Sequence, residues 1–219
     1  MGNTSAQVFF TERIKMIVRR MNMNDIARHY DKLIENNQDP VHDPEPLKAY
    51  MDKWDGQGFI DRMKLDKTKS VLEIGVGTGR LAVRIAPECR SFTGIDISEK
   101  TSEKAKENLN NCNHAKIICG DFLDYDFNER FDVIYSSLTF MHIKEKQKAF
   151  HKVCSLLNDN GMFVLSIDKN QDKKIDAGFS KVTVYPDNTN DTLRYSKYSG
   201  MTLLERYETE FANIFVFGR

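Results

Sequence analysis

The stretch Ser70-Val71-Leu72-Glu73-Ile74-Gly75-Val76-Gly77-Thr78-Gly79-Arg80 decides how the rest of the chain is read. A short apolar run, too brief for a helix and rich in β-branched residues, runs into three glycines at alternate positions. That is the pattern of a buried strand breaking into a tight turn. Helical spacing resumes at once with Leu81, Ala82, Ile85 and Ala86, so the turn feeds a helix. Glycine at such a junction admits positive φ and leaves no Cβ between backbone and ligand, while the helix N-terminus offers unpaired N–H groups. A turn of this kind cradles a nucleotide; the alternative is a glycine-rich turn with no ligand.

The glycine spacing separates two kinds of nucleotide site. A dinucleotide fingerprint, G-x-G-x-x-G, would need its third glycine at position 80, which is Arg80; here the third is Gly79. Glu73 stands two places before the first glycine, where a carboxylate repels a pyrophosphate and welcomes a cation. This E-x-G-x-G-x-G pattern resembles the first motif of the class I S-adenosylmethionine-dependent methyltransferases, whose cofactor carries a sulfonium and an ammonium and no phosphate. The resemblance extends from about Ser70 to Phe217. It implies a transferase with a seven-stranded Rossmann-like α/β sheet, mostly parallel with a C-terminal antiparallel hairpin and helices on both faces. The cofactor it implies is S-adenosyl-L-methionine.

Ser91 to Ser98 reads as a second strand ending in Asp96, about twenty residues past the glycine turn, the spacing at which a neighbouring strand brings a carboxylate to a ribose diol. Its alternative role is to cap the helix beginning near Ser98. A third strand, Ala115 to Cys119, leads into Gly120-Asp121-Phe122. The resemblance implies that Asp121 accepts the adenine amino proton and Phe122 walls the ring; the alternative for Asp121 is a turn aspartate. Together with Ile97 beside Asp96 and Ser137 at the end of the fourth strand, the implied cofactor set is Glu73, Gly75, Gly77, Gly79, Asp96, Ile97, Asp121, Phe122 and Ser137.

The fourth strand, Phe131 to Ser137, precedes Leu138-Thr139-Phe140-Met141-His142-Ile143 and a helix from about Glu145 to Leu157. The resemblance places here the motif that sorts substrate classes. No N/D-P-P-Y motif and no paired-glutamate loop is found, so a small-molecule acceptor is implied. His142 is a candidate general base, and otherwise a histidine lining the cleft or capping the helix. Asn158 to Gly161 is a turn, Met162 to Ile167 a fifth strand, and Lys181 to Val184 one more short strand. A helix over about 188–199 stops at Gly200, and two joined strands, Leu203 to Glu208 and Phe211 to Phe217, end the chain. Asp168, Asn170 and Asp172 begin like a calcium loop, but Lys173 and Phe179 hold its obligatory glycine and acid positions, so no metal site is expected.

Ahead of the glycine motif, apolar residues from Phe9 to Met21 recur at helical spacing among arginines and lysines. This is a helix packed on its own domain or a second subunit in preference to one lying on a membrane. A second helical stretch carries Ile26, Tyr30 and Leu33, residues 36–46 read as loop, and Tyr50 to Met63 as one or two more helices. Residues 1–66 hold too few apolar side chains for a separate core. They are read as a helical cap over a core of residues 67–219, with Tyr30 or Trp54 facing the acceptor and Tyr30 and His29 as further weak candidates for a base.

Lysine plus arginine and aspartate plus glutamate each total 32 in 219 residues, so no net field draws the chain to a nucleic acid. The four cysteines form no C-x-x-C pair, and three fall in expected strand or helix interiors as reduced thiols do. With no membrane-span-length apolar run and no signal-peptide core, a cytoplasmic protein is expected. Two rivals remain open: a regulatory protein that keeps the cofactor pocket without methyl transfer, and a nicotinamide-dependent oxidoreductase.

Overall fold

A computed structural model describes residues 23–219; the basic amphipathic stretch from Phe9 to Met21 lies outside the described residues. Helix α1 covers 23–35 of these, followed by a 3-10 turn at Pro40–His42, α2 at Glu45–Met51 and α3 at Gly56–Asp61. Alternation of strand and helix then gives β1 (Ser70–Ile74), α4 (Ala82–Ile85), β2 (Ser91–Asp96), α5 (Glu99–Asn108), β3 (Ala115–Cys119) and β4 (Phe131–Ser137). The chain continues with α6 (Lys146–Leu156), β5 (Leu157–Asp168), β6 (Lys174–Asp176), β7 (Lys181–Thr183), α7 (Thr189–Tyr198), β8 (Thr202–Glu208) and β9 (Ala212–Gly218).

Seven strands form one sheet in the order β3-β2-β1-β4-β5-β9-β8. The first five pair in parallel, and β9 pairs antiparallel with both β5 and β8. The order reverses at β1, where β2 lies on one side and β4 on the other, so loops leaving the carboxyl ends of these strands diverge and open a crevice. Period-two alternation divides β1 between two cores. Leu72 and Ile74 join Phe140, Phe150, Phe163 and Phe215 on one face, while Val71 joins Phe59, Tyr135, Val164 and Ile214 on the other. Helices α6 and α7 cover the first face, and α3, α4 and α5 the second.

Three sequence expectations are corrected here. Asn158 to Gly161, read as a turn, is an excursion inside β5: Phe131 pairs with Leu157 and Val133 already with Met162. Its Asn160 takes a φ of 62°. The segment after Asp168, where no strand is expected before Lys181, contains β6, which pairs with β7 in a separate two-stranded hairpin. Of the four thiols, all free, only Cys89 is buried and Cys119 is exposed, because β3 is an edge strand.

Residues 23–66 divide between two roles. Phe59 and Met63 are fully enclosed and Ile60 nearly so, packed with Val71, Val133 and Tyr135 in the sheet's second core. In α1, by contrast, Ile26 is the one apolar residue that counts as buried, and it meets Val182 and Val184 of the β7 hairpin. Trp54 does not border the crevice and packs on Phe211 with ring centroids 4.6 Å apart and planes tilted by 43°, which corrects its assignment to the acceptor side. If α3 is core, Phe59→Ala should cost about 3–5 kcal/mol of stability. Urea unfolding of the two full-length proteins measures it, and a loss under about 1 kcal/mol would mean that α3 is peripheral.

Candidate active site

The carboxyl end of β1 builds the floor of the site. Gly75 and Val76 both donate their amides to the Ile95 carbonyl at 2.8 and 3.1 Å, which ties the turn to the end of β2. Gly75 takes a φ of 78°, and a Cβ there would stand 2.0 Å from Thr139 Oγ1, so only glycine fits between β1 and the loop after β4. Around Gly77, with a φ of 55°, nothing lies within 4 Å of a would-be Cβ, so its backbone borders open space. Gly79 does not reach that space: it faces Ala82, Ala105 and Leu109 and serves the packing of α4 and α5.

A cavity of about 1230 Å³ opens from this floor. Gly75, Gly77, Asp96, Ile97, Asp121, Phe122 and Ser137 all border it, as do Tyr30 and His142. Asp96 Oδ2 accepts from Gly77 N at 2.9 Å, while Oδ1 accepts from Ser98 N at 2.9 Å and Thr101 Oγ1 at 3.2 Å. The capping and ligand roles of Asp96 therefore coincide. A carboxylate has about four lone-pair sites, so these bonds take up part of its acceptor capacity. Burial raises the Asp96 pKa, and the Ser98, Gly77 and Ile97 amides and Thr101 Oγ1 oppose the rise. Asp121 Oδ1 accepts from Leu123 N at 2.8 Å and so fixes the turn that carries Phe122.

Glu73 does not border the cavity, contrary to the expectation that it would meet the cofactor's cation. Strand alternation sends its carboxyl with Val71 to the opposite face, where Tyr135 donates to it at 2.6 Å. Burial pushes its pKa up to about 8, with Tyr135 and Arg80 pulling the other way. Arg80 is the link back to the site: it borders the cavity and its guanidinium pairs with buried Asp55, the N-cap of α3. Asp55 also accepts from Ser137 Oγ at 2.7 Å. Thus α3 is joined to the ends of β1 and β4 by one charged network.

At the far end, Tyr30 from α1 and His142 from the 3-10 turn Phe140–His142 meet, with Tyr30 Oη 2.7 Å from His142 Nε2. Their rings lie edge to face at 5.4 Å, and His29 packs on Tyr30 at 5.2 Å. Burial drives His142 down to about 4, reinforced by His29 and Lys146, and pushes Tyr30 up. The imidazole is therefore neutral and the tyrosine hydroxyl protonated at pH 7, and the imidazole tautomer sets which of the two donates. Lys146, held by Asp187 at 2.7 Å, donates to the Phe140 and Tyr185 carbonyls at 2.6 and 2.8 Å and so fixes the turn bearing His142.

Sequence reasoning missed several residues of the site. Thr78, Arg80, Thr139, Met141 and Tyr185 all border the cavity. Arg80 and Thr78 sat in or beside the quoted motif and were legible by position; Tyr185 was not, since it arrives through the Tyr185 N to Met141 O bond at 2.7 Å.

A family model described as a methyltransferase domain matches residues 71–161. A protein named an uncharacterised methyltransferase from Anoxybacillus flavithermus is 37% identical over 123 residues, covering 54% of this chain and 57% of that protein. The chain thus spans little more than half the length of that relative. A second, from Geobacillus thermodenitrificans, is 31% identical over 152 residues, covering 68% of this chain and 66% of its own. Among solved structures, the N-methyltransferase NodS from Bradyrhizobium japonicum WM9, in complex with S-adenosyl-L-homocysteine, superposes with a TM-score of 0.66 at 16% identity. It covers 89% of this chain and 98% of that one. The chain belongs to the class I S-adenosylmethionine-dependent methyltransferases. The sheet order and its antiparallel β8–β9 pair are this methyltransferase's version of the Rossmann-like fold.

The residues present suit that family's cofactor. Gly77 borders space that a Cβ would invade, and Thr78 Oγ1 is buried without a partner among the described residues. Acids at the ends of β2 and β3 accept hydrogen bonds and repel phosphate.

Glu73 generates a pH signature. Its folded pKa of about 8 exceeds the ordinary 4.5, so between those values the folded protein holds more protons than the unfolded chain. Stability must then fall as pH rises through that window. Glu73→Gln, which mimics the protonated form, should remove this slope, so that the variant gains on wild type from pH 5 to pH 8. Parallel stability–pH curves for the two proteins would contradict a raised carboxyl.

Proposed function

We propose that this methyltransferase holds S-adenosylmethionine along the carboxyl ends of β1, β2 and β3 and methylates a small molecule held beneath α1. The observation that carries the reading is the single cavity of about 1230 Å³, continuous from the Gly75–Thr78 turn to the Tyr30–His142 pair. Sites for one ligand span roughly 300–1,000 Å³, so there is room for a cofactor and an acceptor together. The cofactor brings a methyl group already activated on a sulfonium. The chain's own task is to position two partners, exclude water and manage any proton, and alignment alone supplies effective molarities on the order of 10⁵ M or more.

Of the sequence-assigned set, Asp96 would take a ribose hydroxyl with its remaining acceptor capacity, and Asp121 and Phe122 would flank the base. Gly75 and Gly77 would let the backbone approach, and Ser137 and Ile97 would complete the wall. Above them α1 acts as a lid. Asp31 Oδ1 accepts from Ser98 Oγ at 2.7 Å and Lys100 N at 3.1 Å, at the N-terminus of α5, and Glu35 meets Lys100 at 2.6 Å. Beside Asp31, Tyr30 meets His142. The lid part of the proposed 1–66 cap therefore ends before Pro44, and α3 belongs with the 67–219 core. No described helix is long and apolar enough to cross a membrane, and the free thiols fit a cytoplasmic setting.

Calorimetry should give micromolar-class binding of S-adenosylmethionine and S-adenosylhomocysteine, about −8 kcal/mol, and none of NAD. NAD binding with neither of the others would end the reading. Asp96→Ala should cost about 1.5–3 kcal/mol of that affinity, one charged hydrogen bond, and Asp121→Ala less. Deleting residues 1–43 should leave cooperative unfolding and most cofactor affinity while abolishing transfer. Intact turnover after the deletion would move the acceptor elsewhere.

A further inference from the structure

We infer that the acceptor is a hydroxyl compound with an apolar body, a phenol or enol, and that Tyr30 and His142 relay its proton during O-methylation; this rests on the methyltransferase reading above. The chamber under α1 is walled by Met23, Ile26, Leu33, Ile34, Met141 and Ile143. A flat, apolar molecule gains from burial against such walls at roughly 25 cal/mol per Å², whereas a sugar or peptide would lose its hydrogen bonds to water there. Among these apolar side chains stands a polar pair, Tyr30 Oη and His142 Nε2 at 2.7 Å, while charged residues such as Lys144, Glu145 and Lys148 border the same cavity.

The relay requires one direction in the pair. With Tyr30 donating, Nε2 accepts and the imidazole proton sits on Nδ1, which is buried without a partner among the described residues. The Tyr30 oxygen then retains an acceptor site facing the cavity. A substrate hydroxyl can donate to it, and two proton hops end with the proton on Nε2. In the transfer, the oxygen–carbon bond forms as the carbon–sulfur bond breaks and sulfur keeps that electron pair as a neutral thioether. The hydroxyl proton passes to Tyr30 as Tyr30's own proton passes to His142.

An amine acceptor has no use for such a relay, because it attacks as a neutral base and sheds its proton to water afterwards. A hydroxyl must lose its proton as the new bond forms, inside a closed site. The groups facing the pair all favour a neutral imidazole at rest. Tyr30 and His29 come from α1 and Lys146 from α6, and Lys32 acts on His29. Burial, reinforced by the Asp96 carboxylate of β2, favours the protonated Tyr30 hydroxyl. Tyr30 is thus the group that touches substrate, and His142 acts through it.

The probes are 2-naphthol, 2-naphthylamine and 2-methoxynaphthalene, used with the full chain. Saturation with S-adenosylhomocysteine is checked first by calorimetry; failure at that step would overturn the methyltransferase reading itself. On the saturated complex, fluorescence titration should show 2-naphthol binding about tenfold more tightly than its methyl ether, a preference erased in Tyr30→Phe with cofactor affinity unchanged. With S-adenosylmethionine, wild type should methylate 2-naphthol and not the amine, at a kcat level between pH 6 and 8. His142→Gln should lose about 10²–10⁴ in kcat and then rise tenfold per pH unit with the naphtholate fraction, a change that a merely structural histidine would not produce. The inference is overturned if the amine is bound or methylated in preference or the naphthol fails to bind or react. It also falls if the binding preference survives Tyr30→Phe, or if the pH profile of His142→Gln matches wild type.

Discussion

Between Gly75 and Thr139 there is no space for a side chain: a Cβ on Gly75 would fall 2.0 to 2.6 Å from three atoms of the threonine. This close approach sits where the strand order reverses, with β1 and β4 adjacent and their outgoing loops parting. The loop after β4 pays for it in backbone conformation, since Leu138 takes a φ of 57° without being glycine. Thr139 Oγ1 is then fixed on the Ser137 carbonyl at 3.1 Å, and the 3-10 turn carrying His142 starts at the next residue. The turn after β1 and the 3-10 turn carrying His142 are consequently one rigid piece. A shift of the β1 turn would move both.

Electrostatics reinforce that piece from behind. Asp55 and Glu73 are almost wholly enclosed, and isolated carboxylates in such places are costly. They are tolerated because Arg80 stands beside both, with Asp55 paired to it directly and further bonded by Ser137 Oγ and Gly56 N. Glu73 takes the other route, a raised pKa and a hydrogen bond from Tyr135. The acid two places before the first glycine therefore lies behind the cavity, bonded to Tyr135, and Asp55 is the carboxylate that holds the guanidinium bordering it.

That placement was readable in part. The period of two along β1 already puts Glu73 with Val71 and opposite Leu72 and Ile74, so its absence from the cavity followed from the sequence had parity been applied. The glycine turn, the Asp96 spacing and the C-terminal hairpin were legible because each is a local pattern. Tyr30 and His142 were named singly, but their meeting was not legible. They are 112 positions apart, and no local pattern reports that α1 crosses the crevice to the β4 loop. Where the cap gives way to the core was hard to read for a related reason: Phe59, Ile60 and Met63 carry a core signal, but in a short helix flanked by Gly56 and Lys64 it is too brief to distinguish core from cap.

The contrast between α3 and α1 separates what can move from what cannot. Taking α3 off the sheet exposes Phe59 and Met63 entirely and breaks the Asp55 network, a change comparable with unfolding. Lifting α1 exposes Ile26 and breaks a few polar bonds, each worth about 0.5–1.5 kcal/mol net, because water replaces the lost partners at Ser98 and Lys100. Segments of this kind open locally without the core. Helix α1 also carries half of the Tyr30–His142 pair, so a local opening of α1 would part the pair and its seating on the β4 loop assembles it.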